Sequence, residues 1–276
     1  MECARACINQ RSPSPRIGYA KTVVLLHGSA GTGALWRDLR DKLDWAYQIV
    51  APDLIGYGSA SAWSATTPLR LEDEVARLEA ELPCCDGQLH LVGYSYGGAV
   101  ALCMAAAALP RIASLTLIEP VLFGSLRQAG ESGALAELFA VRDRYAASLD
   151  AGRAADGLQE FIDFWAGQGA WQRMPARVRA ATVEMAAKIR LDWEASFAYD
   201  APAASLATLG PRTLLLRGER SPSPMLKLVE CLHAQMPGSR RVVIAGSGHL
   251  LPITHASELA AAVIAHLHEA AERSQS

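Results

Sequence analysis

The fold of this chain is decided by the stretch Gly93-Tyr94-Ser95-Tyr96-Gly97-Gly98. A largely apolar run over residues 89–92 precedes it, and a run of small, helix-forming residues over 99–109 follows it. The pattern predicts a strand, a sharp turn and a helix, with Ser95 at the apex of the turn. Only small residues fit two positions to either side of such a turn, and its central residue takes a strained backbone conformation. We therefore expect the Ser95 hydroxyl to lie above the carboxyl end of a sheet, beside the positive end of a helix.

A second motif lies near the start of the chain, where an apolar strand over 21–26 opens into His27-Gly28-Ser29-Ala30-Gly31. Backbone N–H groups in a glycine-rich loop can stabilise the oxyanion that forms during acyl transfer. The candidate donors are the backbone N–H groups of Ser29 and Tyr96. A dinucleotide or phosphate loop is the alternative, but the glycines at 28, 31 and 33 do not give G-x-G-x-x-G, and no Gly-Lys-Ser/Thr follows.

A third motif is Arg241-Val242-Val243-Ile244-Ala245-Gly246-Ser247-Gly248-His249, a strand that ends in small residues and a histidine. His249 follows Ser95 in the chain, in the order expected of a serine nucleophile and its general base. The chain has seven histidines. We expect these five to be ordinary residues on strand or helix faces: His90, His233, His255, His266 and His268.

Composition excludes several classes of protein. The chain has 276 residues, a formal net charge of −2 and 51% hydrophobic residues, which suits one sizeable α/β domain with a modest insertion. Its charges are interspersed, so we expect no nucleic-acid or membrane partner. The first nineteen residues have no apolar segment typical of a secretory signal, and the six cysteines lack metal-ligand spacing. These features favour a cytoplasmic protein with reduced thiols.

Strands and helices alternate along most of the sequence. Strands are predicted at 21–27, 46–51, 88–94, 114–119, 213–217 and 240–245, and helices at 33–44, 68–82, 97–109 and 256–272. This alternation predicts an α/β fold with a mainly parallel sheet covered by helices on both faces. Between 120 and 209 the pattern is helical only, which predicts an insertion above the carboxyl edge of the sheet.

In combination these motifs resemble the α/β-hydrolase fold superfamily, in particular its serine esterase and epoxide-hydrolase-like group with a helical cap. The resemblance is carried by residues 27–31, 52–59 (Pro-Asp-Leu-Ile-Gly-Tyr-Gly-Ser), 93–98 and 248–249, in family order. It implies a core formed by 16–120 and 210–276 and a cap over 121–209. The Ser-Pro-Ser-Pro run near the start of the chain predicts a disordered segment over 1–15.

The resemblance leaves the acid of a Ser–His–acid triad open. Most relatives carry an aspartate at the position occupied here by Ser221, which cannot supply a negative charge. Glu119 ends the preceding strand, at a position that a known variant of the fold uses for the acid. We expect Glu119 to be the triad acid, with Glu219 as the reserve candidate and Asp53 in a structural loop.

The resemblance favours hydrolysis of small to medium carboxylic esters through an acyl-enzyme on Ser95, without a metal or organic cofactor. Ser95 argues against epoxide hydrolases and haloalkane dehalogenases, which use a carboxylate nucleophile. The alternatives are a lactonase, a carbon–carbon bond hydrolase, a perhydrolase and a non-catalytic small-molecule receptor. Phe123, Trp165 and Leu250 are the candidate substrate-contacting residues. We expect a small-molecule ester as the partner, and a monomer or homodimer.

Overall fold

The strands form a single parallel sheet in the part of the chain that the computed structural model describes, residues 21–43, 47–82 and 88–273. The predicted segment over 1–15 lies outside these residues. The sheet order is β2-β1-β3-β4-β5-β6, and every neighbouring pair is parallel. The strands lie close to their predicted positions: β1 (Lys21–Leu26), β2 (Gln48–Val50), β3 (Gln88–Tyr94), β4 (Ile112–Ile118), β5 (Thr213–Gly218) and β6 (Arg240–Ile244).

Helices connect the strands. The first half of the sheet is joined by α1 (Arg37–Lys42), α2 (Leu71–Glu81) and α3 (Tyr96–Ala107). Between β4 and β5 lie α4 (Gly124–Gln128), α5 (Ser132–Asp150), α6 (Ala154–Ala166), α7 (Ala170–Arg173), α8 (Ala176–Glu184), α9 (Ala186–Ala198) and α10 (Ala203–Leu209). The chain then continues through α11 (Ser223–Gln235), α12 (Leu251–Thr254) and α13 (Ala256–Arg273). These helices and strands confirm the predicted α/β fold.

Two apolar clusters cover the two faces of the sheet. Side chains alternate along a strand, so Val23 and Leu25 of β1 face one cluster while Val24 and Leu26 face the other. The first cluster includes α1 and α13. The second includes α2, α3, α11 and the helices inserted between β4 and β5. The sheet is therefore buried on both sides, as its continuous apolar strands predict.

Helix α3 packs unusually close to the sheet. A Cβ atom at Gly93 would lie 2.2 Å from the Gly97 carbonyl oxygen, and one at Gly97 would lie 2.3 Å from the His27 carbonyl oxygen. Neither position has room for a side chain. This close approach places the N-terminus of α3 directly above the carboxyl ends of β1 and β3.

The segment between β4 and β5 is helical, and no strand occurs among its described residues. Five of its aromatic residues pack into a connected group, with ring centroids 4.4 to 6.0 Å apart: Phe123, Phe161, Trp165, Trp193 and Phe197. Across the described residues, none of the helices is both long enough and apolar enough to cross a membrane.

Burial keeps two histidines of the sheet neutral. Desolvation lowers the pKa of His27 and that of His90 to about 4. The Leu54 N–H donates to His27 Nε2 at 3.0 Å, which leaves the proton on Nδ1, where it is donated to the Gly28 carbonyl oxygen at 2.8 Å. His90 Nδ1 lies 2.8 Å from the Ser114 hydroxyl oxygen. His27 thereby ties the loop after β1 to the loop after β2.

We predict that the protein loses stability as the pH falls from about 6.5 to about 4, because the unfolded chain binds protons at His27 and His90 that the folded protein does not bind. Each such proton changes the free energy of unfolding by about 1.4 kcal/mol per pH unit. Burial raises the pKa of Asp192 to about 6, and this single group opposes the two histidines.

Urea denaturation at about pH 5 and about pH 7.5, on either side of the unfolded histidine pKa, measures the change. In the variant His90→Gln, the free energy of unfolding should change less steeply with pH, by the amount that corresponds to about one proton. A variant with the wild-type slope would show that His90 does not contribute.

Candidate active site

Ser95 lies in the turn between β3 and α3, at the predicted apex. Its φ and ψ are 54° and −118°, a conformation that residues with a side chain rarely adopt. The Ser95 N–H donates to the Ile118 carbonyl oxygen at 2.9 Å, and the Ser95 carbonyl oxygen accepts from the N–H groups of Gly98 and Val121. These bonds hold the strained turn between two neighbouring strand ends and direct the hydroxyl into a cavity.

His249 lies in the loop after β6 and is buried. Its Nε2 is 3.1 Å from Ser95 Oγ, although the two residues are 154 positions apart in the chain. The Arg220 N–H donates to the Ser247 carbonyl oxygen at 2.8 Å, which fixes this loop to the end of β5. The imidazole therefore lies within hydrogen-bond distance of the Ser95 hydroxyl.

Glu119 supplies the carboxylate next to the imidazole. Its Oε2 lies 2.8 Å from His249 Nδ1. Its Oε1 accepts two further hydrogen bonds, from the Gly218 N–H and the Ser221 hydroxyl, each at 2.6 Å. Glu119 is fully buried and has a φ of 47°, so it too occupies a strained turn at a strand end. A neutral imidazole that donates from Nδ1 to Glu119 accepts from Ser95 at Nε2.

The other candidate acids lie elsewhere. Glu219 Oε2 accepts from the Gly246 N–H at 2.8 Å. Asp53 accepts hydrogen bonds from Gly33 and Ser59 and so holds its own loop. Ser221 is a hydrogen-bond donor to Glu119. Of the carboxylates that the sequence offered, the structure brings Glu119 to the imidazole.

The glycine-rich loop after β1 lies against the serine. A Cβ atom at Gly28 would lie 3.1 Å from Ser95 Cβ and 3.0 Å from the Tyr94 ring. Ser29 follows in this loop, and Tyr96 is the first residue of α3. Ala30 has a φ of 57°, the third strained non-glycine residue at this edge of the sheet. The oxyanion role of the two backbone N–H groups, those of Ser29 and Tyr96, stays a prediction.

A cavity of about 370 Å³ opens at Ser95 and His249. Trp165 and Leu250 line it, and their contact with substrate stays a prediction. The Trp165 ring packs on the His249 imidazole with centroids 4.4 Å apart. Phe123 lies elsewhere: it is fully buried and packs on Phe197 at 4.4 Å. This placement differs from the prediction for Phe123, because its side chain packs in the apolar core and does not reach the cavity.

A group of buried charged residues beside the cavity was not predicted from the sequence. Asp192 lines the cavity, and its carboxylate accepts from the hydroxyls of Ser29 and Tyr57, both at 2.6 Å. Lys188 pairs with Asp192 and, at 3.3 Å, with Glu74. The spacing of 188 and 192 on a helix was the available signal, because residues four apart lie on one face.

The family model for the alpha/beta hydrolase fold matches residues 21–256. The chain belongs to this family. The turn at Ser95, the loop that carries His249 and the glycine-rich loop all lie within the matched residues of this alpha/beta hydrolase.

Two characterised proteins are similar to this alpha/beta hydrolase in sequence. The chain is 28% identical over 258 residues to a dihydrolipoyllysine-residue acetyltransferase component of an acetoin cleaving system from Cupriavidus necator, covering 91% of this chain and 64% of that protein. It is 39% identical over 99 residues to lipase LipV from Mycobacterium tuberculosis, covering 36% of each. The chain therefore spans less than two thirds of the length of the curated relatives it matches.

Solved structures share the fold. MenH from S. aureus superimposes with a TM-score of 0.70 at 19% identity, covering 91% of this chain and 94% of that one. A thermophilic esterase from Thermogutta terrifontis gives 0.67 at 20% identity, covering 90% of each chain. At these identities the similarity shows the fold alone.

We predict that Glu119→Gln lowers kcat by up to about 10⁴, because a neutral amide cannot stabilise an imidazolium. The matched control is Glu219→Gln, which should stay within about threefold of wild type because its carboxylate binds a loop N–H and not the imidazole. Steady-state hydrolysis of a p-nitrophenyl ester measures both. A folded Glu119→Gln enzyme with wild-type kcat would remove Glu119 from the mechanism.

Proposed function

We propose that this alpha/beta hydrolase cleaves uncharged carboxylic esters through an acyl-enzyme on Ser95. The observation that carries the proposal is the continuous chain of hydrogen bonds from Ser95 Oγ through both nitrogens of His249 to Glu119 Oε2. A serine with an adjacent imidazole and an orienting carboxylate is the arrangement that activates a hydroxyl for acyl transfer. The name of the lipase relative supports an ester substrate.

The proposed reaction has two halves. His249 Nε2 takes the Ser95 proton as Oγ attacks the ester carbonyl carbon, and the carbonyl electron pair becomes an oxyanion facing the N–H groups of Ser29 and Tyr96. Collapse of this intermediate breaks the bond to the leaving alkoxide, which receives the proton from His249. A water molecule then attacks the acyl carbon while His249 takes its proton, the bond between that carbon and Ser95 Oγ breaks, and His249 returns the proton to Oγ as the acid leaves. Glu119 stabilises the imidazolium in both halves.

The lining of the cavity favours a neutral substrate. No arginine or lysine occurs among the described residues that line it, and most of them are apolar. The polar side chains beside the site already donate within the protein: Ser29 to Asp192, Thr182 to the Val178 carbonyl oxygen, and Ser196 to the Asp192 carbonyl oxygen. A negatively charged substrate group would be buried there without a cationic partner, next to the Asp192 carboxylate.

We also propose that residues 121–209 act as a cap. Trp165, Thr182 and Trp193 belong to these residues and form one wall of the cavity, while Ser95 and His249 form the other. Val178 and Ile253 are exposed apolar residues that line the same cavity. The site therefore takes its catalytic residues from the core and much of its apolar surface from the insertion.

We predict that Ser95→Ala abolishes ester turnover and labelling by a fluorophosphonate, because the reagent bonds to the nucleophilic oxygen. Intact-mass spectrometry detects the adduct on the wild-type protein. An adduct on the alanine variant would show that another residue is the nucleophile. A wild-type protein that takes no label and hydrolyses no ester would favour the receptor alternative.

We predict that p-nitrophenyl butyrate is hydrolysed faster than the palmitate ester, because the cavity has a limited volume of about 370 Å³. Mono-p-nitrophenyl succinate should show a kcat/KM lower than that of the butyrate ester by about 100-fold, since its carboxylate would lose water without gaining a cation. The three esters share one leaving group, which isolates the acyl chain. Equal rates for succinate and butyrate would contradict the neutral-substrate proposal.

A further inference from the structure

Three charged side chains lie buried beside the triad without a place in the proposed reaction. Glu74 of α2 is fully buried, and Lys188 and Asp192 of α9 are 8% and 1% exposed. Burying charges is costly unless each one is paired and hydrogen-bonded. The Lys188 ammonium lies between the two carboxylates, 3.3 Å from Glu74 Oε1 and in contact with Asp192 Oδ1. We call these three residues the buried charge network.

One end of the buried charge network holds the loop after β1. Asp192 Oδ2 accepts hydrogen bonds from the hydroxyls of Ser29 and Tyr57, each at 2.6 Å, while Oδ1 contacts Lys188. Both oxygens of Asp192 are therefore engaged within the protein. Although Asp192 lines the cavity, this carboxylate is poorly suited to recognise a substrate and well suited to hold Ser29.

The other end of the network holds the first residue of α3. The Tyr96 hydroxyl donates to Glu74 Oε1 at 3.3 Å, and the Lys188 ammonium lies 4.7 Å from the centroid of the Tyr96 ring. Glu74 Oε2 accepts from the Ile55 N–H at 2.9 Å, which ties the carboxylate to the loop after β2. The hydroxyls of Ser29 and Tyr96 thus donate to two different carboxylates, and both of these carboxylates pair with the Lys188 ammonium.

We propose that Glu74, Lys188 and Asp192 form a positioning network that sets the spacing of the Ser29 and Tyr96 N–H groups around the oxyanion. This inference rests on the proposed function, because it concerns the same two donors. Two of its three residues come from α9, so the insertion contributes to oxyanion stabilisation as well as to the cavity wall. Oxyanion donors act by being fixed in place before charge develops, so their spacing affects the rate.

The loop after β1 contains a strained backbone conformation that the buried charge network helps to hold. Ala30, directly after Ser29, has a φ of 57°. A residue in this region persists only where its surroundings hold it there. His27 holds the start of the loop through the Gly28 carbonyl oxygen, and Asp192 holds the Ser29 side chain. Without the second contact, the Ser29 N–H is free to turn away from the oxyanion.

The direct test uses Ser29→Ala, which removes the link to Asp192 and leaves every buried charge paired. We expect kcat for p-nitrophenyl butyrate to fall by about 10-fold, less than the roughly 10²–10³ that follows loss of a whole donor. KM should change little, because the donors act on the transition state. Ser29→Thr keeps the hydroxyl and should restore most of the rate.

A double-mutant cycle tests whether Ser29 acts through Asp192. Asp192→Asn should lower kcat, and Ser29→Ala combined with Asp192→Asn should lower it by less than the product of the single effects. The control is Glu194→Gln on the same helix, whose exposed carboxylate pairs with Arg190 and lies outside the cavity lining. It should keep wild-type kcat. Fully multiplicative effects would overturn the link.

The decisive readout is the pKa of a bound oxyanion. Ser95 Oγ adds to the carbonyl carbon of an alkyl trifluoromethyl ketone, and the resulting hemiketal oxygen occupies the oxyanion position. Its pKa, followed by ¹⁹F NMR, should be higher in Ser29→Ala and in Asp192→Asn than in wild type or Glu194→Gln. A merely structural role would lower the melting temperature or the active fraction and leave this pKa unchanged, which would overturn the proposal.

The two proposals fail separately. Ester hydrolysis and ketone adduct formation by wild type, together with unchanged kcat and hemiketal pKa in folded Ser29→Ala and Asp192→Asn, would overturn the positioning network and leave the esterase proposal standing. A wild-type protein that forms no adduct and hydrolyses no ester would overturn the proposed function instead, and the network with it.

Discussion

The site depends on the parallel pairing of β3 with β4. In this register Tyr94 lies opposite Ile118, so the next residues, Ser95 and Glu119, leave the sheet side by side. Both residues have a positive φ, which costs roughly 1–3 kcal/mol for each residue. The hydrogen bonds between neighbouring strands continue at both residues. The Ser95 N–H donates to the Ile118 carbonyl oxygen, and the Glu119 N–H donates to the Leu216 carbonyl oxygen. The sheet thus holds two strained turns next to each other.

The carboxylate that contacts His249 follows β4, one strand away from the position where the resemblance places it. Glu119 leaves β4, while Ser221 lies in the loop after β5, where the resemblance places an aspartate. Ser221 donates to the Glu119 carboxylate, together with the Gly218 N–H. The loop after β5 therefore contributes hydrogen bonds to this carboxylate, while the residue after β4 supplies its charge. The two donors bind Glu119 Oε1, and Oε2 of the same carboxylate faces His249 Nδ1.

The insertion between β4 and β5 supplies two different surfaces to the site. Its aromatic residues, such as Trp165 on the His249 ring, present an apolar wall to the cavity. Its helix α9 also carries a buried ion pair to the loop after β1. Burial strengthens both the hydrogen bond between Glu119 and His249 and those of the ion pair, because the local dielectric is low. Packing and electrostatics in this site therefore depend on the same helices.

Local patterns in the sequence determined most of the sheet and three residues of the site. Apolar runs followed by small residues marked the strand ends, and Ser95, His249 and Glu119 each stand directly at or shortly after such an end. These signals are readable because a strand, a turn and a helix are set by neighbouring residues. The parallel arrangement then follows from the alternation of strands with helices.

Only the tertiary structure decided which side chains meet across the insertion. Phe123 follows a strand end as Glu119 does, yet it turns into the core and packs on Phe197. Asp192 lies 163 residues from Ser29 in the chain and within a hydrogen bond of it in the fold. Nothing in the local sequence of α9 shows which loop it will face. Such contacts depend on how whole helices pack on the sheet, and that packing is set by the shape and volume of many side chains together.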